Sequence, residues 1–277
     1  MTRTTPHAGP AVNLPGQYAI VELLRLYDAA PPRSRFASLV GLSPLSAESR
    51  PWFEAAESEI RVGETLAELG EEWLVFHALP VGAEGSRIEH IDHIAIGKSG
   101  VYIIDTTNHA GQTVWASQRA FLVSGIRHPY IRNMEYEMGR TERLLGSAAG
   151  ISVEVSGILA VVAAKSITVR DRHRDVTVLE VGAVTPWLRA RPIVLTAEDV
   201  CTIGGVAALE STWYRGGEPV GDRGPLQERF AALRRDVRRA RRLQVMWAAG
   251  LTVLGAGGFV AVTYAILVGA LATIGSR

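Results

Sequence analysis

Two short apolar runs, Glu89-His90-Ile91-Asp92-His93-Ile94-Ala95-Ile96 and Val101-Tyr102-Ile103-Ile104-Asp105, are separated only by Gly97-Lys98-Ser99-Gly100. β-Branched and aromatic residues around so short a Gly-bounded connector are expected to form an antiparallel hairpin. Pairing Ile96 with Val101 sets Asp92 opposite Asp105. Facing side chains in such a ladder have Cβ atoms about 5 Å apart, and two like charges at that distance destabilise the pairing. A divalent cation held by both carboxylates would relieve the repulsion, because hard oxygen ligands from adjacent strands suit Mg²⁺ or Mn²⁺. A register shifted by one residue, or an aspartate used to cap a turn, would remove the need for an ion.

At 277 residues the chain is long enough for one sizeable core with attachments. Its 29 Lys+Arg nearly balance 28 Asp+Glu, so overall charge names no partner. The single cysteine, Cys201, cannot make an internal disulfide, which fits a reducing compartment. The first ten residues lack the apolar core of a signal peptide, so no export is expected.

Residues 245–274 contain no charged side chain and are built largely from Ala, Val, Leu, Ile and Gly. A bilayer span needs about 20 such residues, so the stretch is expected to be a single transmembrane helix, tilted or with an interfacial end. Just before it stand Arg234, Arg235, Arg238, Arg239, Arg241 and Arg242 against Asp236. Such a run stays on the cytoplasmic side, which predicts a single-pass protein with its amino-terminal domain in the cytoplasm. The same arginines suit anionic lipid head groups or nucleic-acid phosphates. Within the span, Gly257, Ala261, Ala265 and Gly269 recur at every fourth position, a small-residue stripe suited to a homodimer seam.

The pattern divides the chain into a flexible lead-in (1–50) with a helical patch from Gln17 to Tyr27, a globular domain (51–212), a basic juxtamembrane linker or helix (213–244) and the span (245–274). Within the domain the expected order is a helix from Pro51 to Gly70, a strand from Trp73 to Leu79, the aspartate hairpin and a second hairpin pairing 113–117 with 121–124. A helix from Arg132 to Leu145, a buried strand from Val155 to Ala164, a short strand from Asp175 to Val181 and two helices follow. Thr196 caps the second of these. This order gives an α/β sandwich around one mixed sheet, with the second hairpin widening it.

The strings Gly63-Glu64, Ile91-Asp92-His93-Ile94-Ala95-Ile96-Gly97, Gly100-Val101-Tyr102-Ile103-Ile104-Asp105 and Asn108-His109-Ala110-Gly111 resemble the nuclease-related domain (NERD), a branch of the PD-(D/E)xK phosphodiesterase superfamily. The resemblance extends more weakly through Tyr130-Ile131-Arg132-Asn133 and covers roughly residues 55–212. It implies a restriction-endonuclease-like mixed sheet flanked by helices, with Glu64, Asp92 and Asp105 as the acids that bind Mg²⁺ or Mn²⁺ and cleave nucleic acid. By helical spacing alone Glu64 shares a stripe with Glu57 and Glu68, which reads as a solvated face.

One position departs from the family: where it has Asp-x-Lys, this chain has Asp105-Thr106-Thr107. A lysine there would orient the attacking water and offset developing negative charge, and losing such a cation lowers rate by orders of magnitude. The chain's two lysines are Lys98, held in the turn about 20 Å along the strand from Asp92, and Lys165, whose distance depends on strand order. Gln112, Gln118 and Arg119 are further stand-ins. His90, His93 and His109 flank the aspartates, but alternation sends His93 to the opposite face, and only His109 is retained as a substrate contact. Two functions follow: a membrane-tethered, metal-dependent phosphodiesterase of weak activity, or a degenerate module that binds nucleic acid or protein.

Overall fold

The structure, a computed structural model, describes residues 13–83, 89–171, 173–215 and 223–274, with side chains described for 13–81, 90–171, 173–213 and 224–249. It forms two compact units: residues up to 23 with 50–223, and residues 24–49 with 224 onward.

The first unit is built on a six-stranded mixed sheet. Strands β1 (Leu74–Ala83), β2 (Glu89–Gly97) and β3 (Gly100–Asn108) run antiparallel; β7 (Val155–Val162) and β9 (Val176–Glu180) continue the sheet parallel to β3. A two-residue strand β10 (Tyr214–Arg215) closes the far edge beside β1. Alternation along β2, β3 and β7 sorts their residues onto two faces. Ile94, Ile96, Ile103, Leu159 and Val161 pack with Met134, Met138 and Leu145 of α4 (Tyr130–Ala149) and with Ile203 and Ala207 of α6 (Ala197–Ala207). Ala95, Tyr102, Ile104, Ile158 and Ala160 pack with Val62 and Leu66 of α3 (Ser49–Ala67) and with Val184 and Leu188 of α5 (Val184–Arg189). Strand β7 is buried on both faces, as its unbroken apolar run predicts. Thr196 caps α6 through a reciprocal pair of hydrogen bonds with Asp199.

Three expectations need correction. The second hairpin, β4 (Thr113–Ala116) with β5 (Phe121–Val123), does not widen the main sheet. It joins β6 (Ile126–His128) and β8 (Ser166–Val169) in a separate four-stranded sheet, because β8 pairs with β4 in parallel. The lead-in does not end at residue 50. Asn13 donates to the Ala78 carbonyl at 2.9 Å, and Gln17, Ala19, Ile20 and Leu23 are buried along helix α1 (Gln17–Ala29), so residues 13–23 belong to the sheet's unit. Finally, no break separates the basic segment from the uncharged stretch: both lie in one helix, α8 (Arg223–Ile274). Among the described residues no helix is long and apolar enough to cross a membrane. The expected span at 245–274 is helical in its backbone, but its side chains from residue 250 lie outside the described residues. The stripe Gly257, Ala261, Ala265 and Gly269 lies there too.

One close approach locks α4 onto the sheet. A Cβ at Gly157 would meet Met134 Cγ at 2.4 Å and its Sδ at 2.6 Å, so only glycine lets the helix lie this near β7. Gly157→Val should therefore lower stability by about 1–3 kcal/mol through overpacking, read as a lower urea midpoint. An unchanged midpoint would show that α4 does not press on β7 at this point.

Candidate functional site

The hairpin adopts the register its turn predicts, with Ile96 opposite Val101 and His93 opposite Ile104. One step further, where Asp92 would face Asp105, the strands part. The Asp92 carboxylate fills the opening, its Oδ2 accepting the Thr106 backbone N–H at 2.8 Å. The neighbouring ladder is disturbed at the same level. Pairing of β1 with β2 skips from His77↔His93 to Leu79↔Ile91, and Ala78 between them has φ of 46°. A non-glycine residue held in this left-handed region costs about 1 kcal/mol or more, and the Asn13 amide bonded to the Ala78 carbonyl helps to hold it there.

A third carboxylate reaches this gap from α3, and it is Glu59 rather than Glu64. Glu59 is 5% exposed, and its ligand atoms lie within 4.8 Å of those of His90 and Asp92. Glu64 is exposed and outside that cluster. The signal was present in the chain: Glu59 continues the buried stripe Val62-Leu66-Leu69 at helical spacing, and an acid on an apolar stripe is the anomaly that marks a site.

The three acids do not ionise alike. At Glu59, burial first and then the charges of Asp92 and Asp105 push the carboxyl well above its usual range. At Asp105, burial, Asp92 and Glu137 of α4 do the same. Burial works against the Asp92 anion as well, but hydrogen bonding and charge from His90 and the Thr106 N–H outweigh it and hold Asp92 below its usual value. Asp92 is thus the acid most favoured as an anion, while the environment of its two neighbours favours their protonated form and a nearby positive charge would reverse that. Behind them, burial lowers His77 to about 4 and His93 to about 3, so their Nδ1···Nδ1 contact of 2.8 Å joins two neutral rings. His90, two residues from Asp92 and retained in no site role by the sequence, stacks on Tyr18 of α1 with ring centroids 4.3 Å apart and stands 3.4 Å from Asp92.

These groups suit a divalent cation. The Oε2 of Glu59 is buried without a hydrogen-bond partner, a feature that an ion or a water in the gap would account for. Two carboxylates and an imidazole converge there, with Asp105 next to them on β3, a donor set for a borderline to hard divalent ion.

Thr107, at the position of the family's lysine, is 7% exposed and shares a short hydrogen bond with His109 Nε2. Burial and the nearby His128 lower His109, against a hydrogen bond that its ring donates to Gln112, which favours a neutral imidazole behind the hydroxyl. His109 belongs to an aromatic group with Phe121, His128 and Tyr130, at centroid distances of 5.8, 6.1 and 5.8 Å. Lys165 is exposed beyond the end of β7, the strand that pairs Val161 with Thr107, and its backbone N–H donates to Gln112 O. Gln118 and Arg119 are also exposed. Next to His128 opens a cleft of about 250 Å³ lined by Arg119, Arg127, Pro129, Ile131 and Arg132. Arg127 Nη2 donates to the Arg119 carbonyl at 2.8 Å, and among the described residues none of the three guanidiniums meets a carboxylate.

Residues 54–162 match the family model of the nuclease-related domain, a range that includes Glu59, Asp92, Asp105, Thr107 and His109. Over that stretch the chain is similar to the nuclease-related domain. No curated protein and no solved structure matches it. The NERD match indicates a nuclease-like function related to nucleic acid and is consistent with the PD-(D/E)xK superfamily.

With Glu59 and Asp105 raised, the metal-free native state holds protons that the unfolded chain has already released. Its stability therefore falls as pH rises above the ordinary carboxylate range. A cation bound by these groups reverses that loss. The thermal shift produced by millimolar Mn²⁺ should be larger at about pH 8 than at about pH 5.5. Glu59→Gln and Asp92→Asn should abolish it, whereas Glu64→Gln should leave it intact. Loss in Glu64→Gln with Glu59→Gln unaffected would return the role to Glu64.

Proposed function

We propose that the chain is a metal-dependent phosphodiesterase of low activity that acts on nucleic acid and is tethered to a membrane by residues 245–274. The observation that carries this reading is the convergence of Glu59, His90 and Asp92, their ligand atoms within 4.8 Å of one another and one Glu59 oxygen without a partner, with burial and neighbouring charge pushing Glu59 and Asp105 up. Glu59, Asp92 and Asp105 would hold the cation, with His90 beside them, a set that favours Mn²⁺ over Mg²⁺ because imidazole binds the softer ion better. Such an ion lowers the pKa of an attacking water and offsets charge on the phosphodiester. The remaining work falls to the chain. Asp105, once ionised, accepts a proton, and the Thr107 hydroxyl, oriented by His109, hydrogen-bonds a phosphate oxygen without neutralising it. Arg119, Arg127 and Arg132 supply the positive surface that a polyanion needs, and His128 and Tyr130, stacked at 5.2 Å and 4°, offer an aromatic face beside it.

A second reading rests on Thr107 itself. Without a cation at that position the domain could keep binding and lose turnover, becoming a nucleic-acid- or protein-binding module at the cytoplasmic face of the membrane. Cytoplasmic placement follows from the arginines of α8 that precede the uncharged stretch.

Two measurements separate these readings. Thr107→Lys should raise Mn²⁺-dependent cleavage of DNA or RNA at least tenfold over the parent chain, and Asp92→Asn in the same background should remove it. No gain, with a parent chain that cleaves briskly, would place the missing charge elsewhere. Independently, Arg127→Ala and Arg132→Ala should each weaken binding of a labelled oligonucleotide in EDTA and reduce the slope of log K against log salt by about one. Binding that ignores both substitutions would remove the cleft from the substrate path.

A further inference from the structure

The second unit holds a cleft that the nuclease-like reading does not use. Helix α2 (Arg35–Leu39) lies against the last charged turns of α8. Gly41, with φ of 79°, sits so close that a Cβ there would be 2.7 Å from the Ala240 carbonyl and 2.8 Å from the Gln244 nitrogen. Trp247 Nε1 donates to the Leu39 carbonyl at 3.1 Å, and Arg33 Nη2 to the Ala37 carbonyl at 2.9 Å. Between the two helices opens a cavity of about 390 Å³ whose charged lining is Arg33, Arg35 and Arg239 against Asp236. Arg33 is already fixed by its bond to Ala37, while its Nε is buried without a partner.

Beside this cationic cavity the surface becomes apolar. Phe36, Leu39 and Leu42 around α2, and Val245, Met246 and Trp247 on α8, are each more than half exposed. Six large apolar side chains left in water on one small unit mark a surface with an occupant. Their position says which. Along α8, Arg239 and Trp247 are about 12 Å apart, and the uncharged residues 245–274 follow directly. A guanidinium layer, then a tryptophan, then an uncharged helix is the order in which a bilayer presents phosphate, interface and hydrocarbon.

We propose that the α2–α8 cleft binds the headgroup phosphate of an anionic phospholipid, with Arg33, Arg35 and Arg239 as its ligands and Phe36, Leu39 and Leu42 entering the acyl region next to Trp247. The site rests on the proposal that residues 245–274 span the membrane. It adds to that proposal a lipid selectivity and an in-plane foot at the base of the anchor. The arginines act on phosphate charge, so phosphatidylcholine, whose headgroup is neutral overall, is held less well than phosphatidylglycerol.

The test uses the full chain reconstituted into vesicles of equal parts phosphatidylcholine and phosphatidylglycerol, extracted in mild detergent and weighed by native mass spectrometry. The expected result is preferential retention of phosphatidylglycerol, reduced roughly fivefold by each of Arg35→Ala and Arg239→Ala and unaffected by Arg174→Ala in the other unit. A single cysteine at position 36, introduced as Phe36→Cys in a Cys201→Ser chain and carrying a bimane label, should be quenched by lipids brominated near the headgroup end of the acyl chain. Equal retention of the two lipids, or retention unchanged in both arginine variants, overturns the site while leaving the anchor. A label that is unquenched, showing a foot covered by water or protein, also overturns it. Release of the chain from vesicles by alkaline carbonate overturns the anchor and the site together.

Discussion

Carboxylates buried close together cannot all carry charge, and this constraint organises the nuclease-related unit. Beyond His93 and Ile104 the hairpin stops pairing, and the Asp92 anion occupies the gap by taking the Thr106 N–H. That bond, with His90 nearby, favours the Asp92 anion. Burial, and then the Asp92 charge, push Glu59 and Asp105 up. The surroundings are arranged to tolerate the arrangement: Ala78 accepts a strained backbone, Asn13 bonds its carbonyl, and Tyr18 covers His90. The fold thus stores a local instability that a divalent cation would relieve, in keeping with strain and perturbed ionisation gathering where function lies.

The parts of this that could be read from the chain are those set by local chemistry. The hairpin register followed from period-two alternation and a Gly-bounded turn, and the Thr196 cap from its reciprocal partner three residues on. The buried face of α4 followed from helical spacing at Met134, Met138 and Leu145. Parts that depend on distant segments could not be read in the same way. The second hairpin's sheet is decided by Ser166–Val169, which pairs with Thr113–Ala116 across some fifty positions of chain. Residues 13–23 look like an unstructured lead-in until Ala78, far along the chain, supplies the partner for Asn13. The Glu64 assignment came from a motif string. Glu59, the acid that turns inward, was legible only by asking why a carboxylate lay on the Val62-Leu66 stripe.

Thr107 divides binding from turnover. The hydroxyl is buried and tied to His109, whose ring is neutral and packed among Phe121, His128 and Tyr130, so this corner of the site is ordered but uncharged. Positive charge appears instead in the cleft lined by Arg119, Arg127 and Arg132 beside His128, which none of the three acids lines. Under the proposed function, such a domain would keep the means to bind substrate and metal while lacking a cation at Thr107 to offset charge in the chemical step. The second unit carries its own arginines, Arg33, Arg35 and Arg239, beside the exposed apolar residues Phe36, Leu39 and Leu42.

The account stands on the carboxylates of the parted hairpin being a metal site completed by Glu59. Crystals of the protein soaked in MnCl₂ and measured at the manganese absorption edge address this directly. The account predicts one strong anomalous peak within bonding distance of Glu59 and Asp92 and no peak at Glu64. An anomalous map with no peak between α3 and the aspartate hairpin, or with manganese bound by Glu64 instead, would contradict it.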